Sequence, residues 1–469
     1  MNGKAARLFV SRRTILPDGV KPAIIVVTDG VIEEIIRCSS ENEINQVKRR
    51  YIDVDCNDFG NLILMPGVVD SHVHVNEPGR TEWEGFWTAT RAAAAGGVTT
   101  LVDMPLNSIP PTTTVENLKT KVRAAKNQSF VDVGFWGGVI PGNHLNLKPL
   151  VEAGVVGFKC FLCPSGVDEF PHVDENDVRA ALSELQYTNS LLAFHAECEV
   201  GNTFEQIKGN PCNYETYLQT RPPEMETNAI TMIMNMCETY QCRCHIVHLS
   251  AGKALNLIRQ AKQKQLPLTV ETCYHYLCLA AETIPNCATQ FKCCPPIRDE
   301  TNQEKLWMGI EDGSVDMVVS DHSPSSADLK AGGDFLKAWG GISSLQFGLS
   351  LLWTGIKNRP TTNLGLVDVA RLLCAAPAQL CGLQDRKGSL RPGMHADFVV
   401  WDPDSSFQVQ EREILHKHKL TPYKGDRLFG KVLATIVRGD FVYKHGEFCA
   451  EPFGQPLLAQ PFLASLLDF

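Results

Sequence analysis

The chain has 469 residues, 44% hydrophobic and 21% charged, a balance that excludes wholesale disorder and is ample for a large core. Its 53 acidic against 44 basic side chains leave a net charge of −9, and an acidic protein repels phosphate backbones, so nucleic acid is not an expected partner. At roughly 150 residues per domain the length suggests about three domains, although α/β barrels often run past about 200 residues as one unit.

The first stretch reads as β: Pro22 to Ile36 places two apolar runs around Asp29-Gly30, a hairpin signal. From about residue 62, short apolar strands alternate with amphipathic helices. The strand candidates are Leu62–His74, Thr99–Met104, Val131–Val139, Gly157–Leu162, Leu191–Glu197, Cys244–Ser250, Leu268–Leu277 and Val315–Asp321. The helical segments are Glu84–Ala95, which stops at Gly96-Gly97, then Val115–Ala125, Asp177–Gln186, Thr227–Tyr240, Gly252–Lys264, Gln303–Glu311 and Leu345–Trp353. The tail returns to β character over Gly393–Trp401 and Val432–Tyr443, the latter with Gly439-Asp440 as a turn. Alternating β and α elements imply a parallel sheet with right-handed crossovers. Eight units predict a closed TIM (β/α)8 barrel over residues 62–386. The β-rich ends, 1–61 and 387–469, are then expected to pair as a small composite β-sandwich beside it.

No apolar run reaches the ~18 residues of a membrane span. The opening MNGKAARLFVSRRT has no apolar signal core, and the closing Leu466-Leu467-Asp468-Phe469 is not a Ser-Lys-Leu address. Seventeen cysteines, an odd number scattered along a long chain, do not form a disulfide scaffold. They predict a reduced, intracellular protein, cytoplasmic in the first instance, with peroxisome and mitochondrion as alternatives. Cys160 and Cys163, and Cys242 and Cys244, have spacings found in zinc sites, but two regularly spaced pairs are missing and buried thiols acting as small hydrophobes are the simpler reading.

Chemically distinctive residues fall at the C-terminal ends of the proposed strands, where barrel enzymes carry their sites. In Asp70-Ser-His-Val-His74 the two imidazoles are two residues apart and project to one face of a strand. Lys159, His195, His248 and Asp321 follow on the fourth, fifth, sixth and eighth strands. Each alone has an ordinary structural reading: a lone histidine is usually a satisfied structural residue, and a lone aspartate at a strand end a helix cap. Together they fit a cation site, and imidazole with carboxylate suits Zn²⁺, Co²⁺ or Mn²⁺. His245 has opposite parity to His248 and reads as structural; His322 points away from Asp321 and is at most a support. Lys159 as an ammonium would repel a cation, but a buried cation-rich site lowers a lysine pKa, and the neutral amine can take up carbon dioxide to become a carboxylate-bearing ligand.

Asp70-Ser-His-Val-His74, Gly157-Phe-Lys159, Ala193-Phe-His195-Ala-Glu197, Val247-His248-Leu-Ser250 and Ser320-Asp321-His-Ser-Pro324 resemble the cyclic-amidohydrolase branch of the amidohydrolase superfamily. The resemblance runs from about Pro22 to Tyr443. It implies a TIM barrel with a composite β-sandwich and two divalent ions, most often zinc, bridged by a carbamylated lysine. Position by position it implies one ion at His72, His74, Lys159 and Asp321, and the other at Lys159, His195 and His248. The branch includes dihydroorotase, dihydropyrimidinase (hydantoinase) and the allantoinase family. The run from His72 to Phe86, with Ala92–Thr100 and Asp103–Ser108, is most similar to the last. Dihydroorotase has an arginine two residues after the second histidine for its substrate's carboxylate; Asn76 stands there, implying a neutral substrate such as allantoin. Asn107 and the backbone of Gly341 and Ile342, in Trp339-Gly-Gly-Ile-Ser-Ser344, are the other implied ring contacts. Tyr274 departs from relatives that have proline. The implied chemistry is hydrolysis of a cyclic amide, allantoin to allantoate in purine catabolism, with Asp321 taking the water's proton and returning it to the departing ring nitrogen. The implied assembly is a homo-oligomer, a homotetramer first. The rival readings are a hydantoinase-type cyclic imide hydrolase, which usually lacks the Asn76-Glu-Pro-Gly79 run, and a non-catalytic scaffold, which the complete ligand set argues against.

Overall fold

The computed structural model describes residues 6–201 and 207–458. The extreme end segments judged above, residues 1–5 and 459–469, lie outside the described residues. In chain order the strands are β1 (Arg7–Leu16), β2 (Gly19–Thr28), β3 (Val31–Arg37), β4 (Asp55–Asp58), β5 (Ile63–Pro66), β6 (Val68–Val73), β7 (Val98–Asp103), β8 (Asp132–Phe135), β9 (Gly137–Gly138) and β10 (Phe158–Phe161). They continue as β11 (Leu191–His195), β12 (Arg243–Ile246), β13 (Leu268–Cys273), β14 (Met317–Val319), β15 (Phe398–Gln408), β16 (Arg427–Val437), β17 (Asp440–Lys444), β18 (Glu447–Phe448) and β19 (Pro456–Leu457).

The two ends of the chain share one sheet, ordered β18-β17-β16-β15-β5-β1-β2-β3, with β4 on β1. The β2–β3 turn has Asp29 at φ 52° and Gly30 at φ 79°, the double left-handed geometry that Asp-Gly favours. The later hairpin turns at Arg438-Gly439, not Gly439-Asp440, because Asp440 is already the first paired residue of β17, opposite Val437. One face of this sheet packs Phe9, Ile25, Phe398 and Ile436 together. On the other face Leu8, Val10, Ile24 and Val26 meet Ile44 and Val47 of a helix, Glu41–Arg50, that the sequence reading did not include.

The middle of the chain forms two parallel sheets, β14-β13-β12-β11-β10-β9 and β19-β8-β7-β6. Strands β6, β7, β10 and β11 are buried at every residue, as parallel strands covered on both faces must be. Parallel bridges Val73–His322 and His322–Ile342 bring the end of β6 beside the segments that follow β14.

Three expected strands are broken. Leu62–His74 divides at Gly67: β5 pairs with β1 and β15, while β6 opens a parallel sheet. A Cβ on Gly67 would lie 2.1 Å from Thr99 Oγ1, so glycine alone fits this crossing. Val131–Val139 divides at Trp136, with β8 in one parallel sheet and β9 in the other, and the indole N–H donates to Ser71 O at 2.9 Å. The seventh strand ends at Cys273, and Tyr274–Cys278 is helical. The expected helices are present within a few residues, as Phe86–Ala95, Val115–Ala125, Glu175–Leu185, Pro223–Tyr240, Leu255–Gln263, Glu300–Glu311 and Gly348–Lys357. Thr114, Asp174 and Asp299 cap three of them with side-chain oxygens.

A buried charge cluster joins the terminal sheet to the parallel one. Lys387 Nζ is 2.6 Å from Asp132 Oδ2 and also pairs with Asp397, while Arg438 pairs with Asp132. The remaining capacity of both carboxylates is used by Gln455 N, 2.9 Å from Asp132, and Arg438 N, 2.8 Å from Asp397. Among the described residues, no helix is long and apolar enough to cross a membrane.

Candidate active site

The parallel strands deliver the predicted side chains to one place. His72 lies within β6 and His74 just beyond it; Lys159 is inside β10, His195 ends β11, and His248 and Asp321 sit two residues past β12 and β14. Five of these six, the exception being the more open carboxylate of Asp321, keep side chains less than a tenth exposed. All six line one cleft with a cavity volume of about 210 Å³. His72 Nε2 is 3.1 Å and His74 Nε2 3.5 Å from Asp321 Oδ1. The His248 ring centroid lies 5.5 Å from that of His72 and 4.6 Å from that of His195. His248 and Asp321 adopt positive φ, 39° and 43°, a conformation uncommon for residues with a Cβ and usually found where the surroundings over-determine it.

Two carboxylates outside the predicted set orient the imidazoles. Glu271 Oε1 lies 2.5 Å from His72 Nδ1, and its Oε2 lies 3.0 Å from His245 Nε2. His245 is thus structural as expected, yet one carboxylate away from the site. Glu197 Oε2 lies 2.7 Å from His195 Nε2 and accepts from Arg221 Nη1 at 2.5 Å. Such partners fix which ring nitrogen points inward. His322 acts as the expected support: its Nδ1 accepts from Ser344 N at 3.2 Å.

The electrostatics follow from burial. Burial raises carboxylate pKa values, but at Glu271 the imidazoles of His72 and His245 outweigh it and hold the group down at about 2. Arg221 and His195 do the same for Glu197, also about 2. Asp321 is likewise kept ionised against burial by His72, His74 and His275. Burial pushes His74 down to about 4 despite Asp321, and depresses His195 and, with help from Lys159, His248. Lys159 falls to about 8 through burial, partly offset by Glu271 and Asp321. Its Nζ and the Nδ1 of His248 are buried with no hydrogen-bond partner among the described residues. Imidazoles, an ionised carboxylate and an unpartnered amine around one cavity form a donor set that could hold a divalent cation.

The implied ring contacts divide. Asn107 and Gly341 line the cleft; Asn76 and Ile342 do not. Asn76 donates to Pro324 O at 3.2 Å, and the Ile342 carbonyl accepts from Ser323 N at 3.0 Å beneath a buried side chain. Gly341 donates to Lys292 O at 2.8 Å, and its carbonyl accepts from Lys330 Nζ at 2.7 Å. The rim before it is held by a second lysine, Lys292, whose Nζ donates to Leu336 O at 3.1 Å and Ala338 O at 2.6 Å. Gly341 has φ +143°, and a Cβ there would lie 2.2 Å from Ser323 O. Tyr274 is away from the cleft lining; it packs on Gly348, where a Cβ would sit 2.5 Å from its ring. Cys160, Cys163, Cys242 and Cys244 are buried free thiols, and the candidate ligand groups among the described residues include no four-cysteine cluster. Cys163 instead lies with His195 and Glu197, whose shared oxygen is already committed to His195 and Arg221.

This architecture and donor set define a class. The amidohydrolase family model matches residues 63–442, and the chain belongs to the amidohydrolase family. Its relatives sharpen that placement. The allantoinase of Streptomyces avermitilis is 46% identical over 451 residues, covering 96% of this chain and 98% of that one. The mitochondrial allantoinase of Aquarana catesbeiana is 51% identical over 401 residues, covering 85% and 80%. Among solved structures, the L-hydantoinase of Arthrobacter aurescens superposes with a TM-score of 0.88 at 28% identity, over 96% of this chain and 99% of that one.

Proposed function

We propose that this chain is a metal-dependent cyclic-amide hydrolase that opens the ring of allantoin to allantoate in purine catabolism. The convergence of His72, His74, Lys159, His195, His248 and Asp321 on one cleft carries the reading, in a chain whose relatives over almost its full length are allantoinases.

Two divalent cations, zinc first with cobalt and manganese as alternatives, supply when bound a water of lowered pKa and polarisation of the scissile carbonyl. His72, His74, Lys159 and Asp321 would hold one; Lys159, His195 and His248 the other. The residues fit: the imidazole nitrogens and a carboxylate oxygen converge, and the buried amine and His248 Nδ1 lack protein partners. Lys159, with a pKa of about 8, has a neutral fraction that adds to carbon dioxide, forming N6-carboxylysine and releasing a proton. That exchanges a buried amine with no hydrogen-bond partner among the described residues for an anionic ligand. Asp321 accepts the attacking water's proton and delivers it to the departing ring nitrogen. Glu271 and Glu197 keep His72 and His195 in register. Asn107 and the Gly341 segment are the candidate ring contacts on the cleft wall; Asn76 and Ile342 act on the loops behind it.

The finer architecture proposed is a (β/α)8 barrel over 62–386, with 1–61 and 387–469 forming a composite β-sandwich. The bridge from Val73 of β6 to His322, three residues past β14, supports closure, and the pairing of β5 with β15 supports the shared terminal unit. We also propose a homotetramer, after the branch it resembles, and a cytoplasmic setting, with mitochondrion or peroxisome as alternatives; seventeen free cysteines suit a reducing compartment.

The test is purification with zinc, cobalt or manganese, metal analysis, and assay of allantoin against hydantoin, dihydrouracil and dihydroorotate. Preference for allantoin with bound metal is expected. Preference for hydantoin or dihydrouracil would assign the chain to the hydantoinase activity of its structural neighbour, and a sample that takes up no cation would make it a scaffold.

A further inference from the structure

Allantoin is a hydantoin ring bearing a ureido arm on C5, so an allantoin hydrolase differs from a hydantoinase by whatever touches that arm. Most polar groups of the cleft are already committed. The histidines, Lys159 and Asp321 form the cation site, and Lys292 donates to two rim carbonyls. Asn107 Nδ2 lies 3.5 Å from His74 Nδ1, and the Lys337 side chain is 87% exposed.

Arg221 is different. It lines the cleft, its side chain is 18% exposed, and Nη1 is tied to Glu197 Oε2. A guanidinium has five N–H donors, and the tie to Glu197 with a contact to the Cys163 side chain uses only part of them. Glu197 is the carboxylate beside it, and that same oxygen also meets His195. The ion pair with Glu197 offsets the charge of Arg221, so what the guanidinium offers the cleft is N–H donors rather than net charge. The backbone presenting it is fixed: Arg221 N donates to Leu218 O at 3.1 Å, Arg298 Nη1 donates to Arg221 O at 3.1 Å, and Pro222 follows. Cys294 and Gly340 line the same cleft, and a Cβ on Gly340 would come 3.1 Å from Cys294 Sγ, so a larger residue at 340 would crowd this wall. A planar fork anchored at one end matches a planar urea carbonyl, which accepts two N–H groups.

Resting on the reading of this cleft as an allantoin site, we propose that Arg221 is the specificity-determining residue that binds the ureido carbonyl of the substrate. Asn76 stands where dihydroorotase has its substrate-facing arginine; the fold brings Arg221 to the cleft from the segment before the helix Pro223–Tyr240.

Allantoin turnover, hydantoin binding by calorimetry and bound metal are measured for wild type, Arg221→Lys and Arg221→Gln. Lysine keeps the charge toward Glu197 and loses the fork. In wild type, hydantoin should bind roughly 10- to 100-fold more weakly than allantoin, the worth of a hydrogen bond to a charged group. Both variants should raise KM for allantoin by a similar factor of about 10- to 100-fold, with hydantoin affinity and metal content unchanged. Equal wild-type affinity for the two rings overturns the assignment, however the variants fold. So does an unchanged KM, or a parallel loss of hydantoin affinity or metal, which would make Arg221 a support for Glu197 only. Absence of any allantoin hydrolysis by metal-loaded wild type instead refutes the underlying function.

Discussion

Lys159 and Lys387 are both almost fully buried, yet their surroundings are opposites. Lys387 sits between Asp132 and Asp397, with Arg438 and two backbone amides completing the cluster. Lys159 is aimed into a cavity ringed by imidazoles and has no hydrogen-bond partner. A buried charge persists when it is paired and hydrogen-bonded; the first lysine meets that condition, and the second, with no hydrogen-bond partner among the described residues, does not. Burial alone identifies neither as functional. The proposed role of Lys159 rests instead on its unmet hydrogen-bonding capacity together with its place among the cleft imidazoles.

The sharpest break with a merely structural reading of the cleft comes from Asp321→Asn, which keeps shape and removes the proton carrier. Turnover should fall by about 10²- to 10⁴-fold while the melting temperature moves little; wild-type turnover would remove Asp321 from proton transfer. Lys159→Ala should lose most bound metal and activity, and small carboxylic acids should restore part of both; full metal content in the variant would contradict the carbamate.

The two lysines can then be set against each other in metal-free protein. Lys387→Met leaves Asp397 without its cation and takes one of two cations from Asp132, and should cost about 3–5 kcal/mol by denaturant unfolding, whereas Lys159→Met should cost nothing at pH 7. The sign follows from linkage: the folded-state pKa of Lys159, about 8, lies below its ordinary 10.5, so folding is penalised in full below about pH 8 and the penalty fades as pH rises toward 10.5. Stability of wild type relative to Lys159→Met should therefore rise across that interval, and a flat difference would refute it. The smallest effect is expected at Glu271→Gln. It loosens His72 without removing a ligand, and should weaken metal affinity by roughly 10- to 100-fold, read by chelator competition.

What could be read from the chain before folding was the set of side chains that meet in the cleft, because His72, His74, Lys159, His195, His248 and Asp321 each stand at or near the end of an apolar run. Strand boundaries were less legible. Nothing local marks Gly67 or Trp136 as breaks; the first is set by Thr99, which approaches from β7, and the second by an indole reaching Ser71. Glu271 left a trace, an acid inside the buried run Leu268–Cys273, but its partners His72 and His245 lie on two other strands. Arg221 left none, since its segment is irregular and only tertiary structure turns it toward the cleft. Asn76 shows the converse: its place in the motif is right, but its positive φ of 65° and its bond to Pro324 direct it behind the wall.

The Val73–His322 bridge ties residues early in the chain to residues more than halfway along it, and β5 is clasped between β1 and β15, from opposite ends of the polypeptide. A nascent chain emerging from the ribosome therefore holds His72 and His74 long before Asp321 exists to join them. Any cation held by this set would consequently be captured late in biogenesis, and truncated products would carry isolated histidines without the complete cleft.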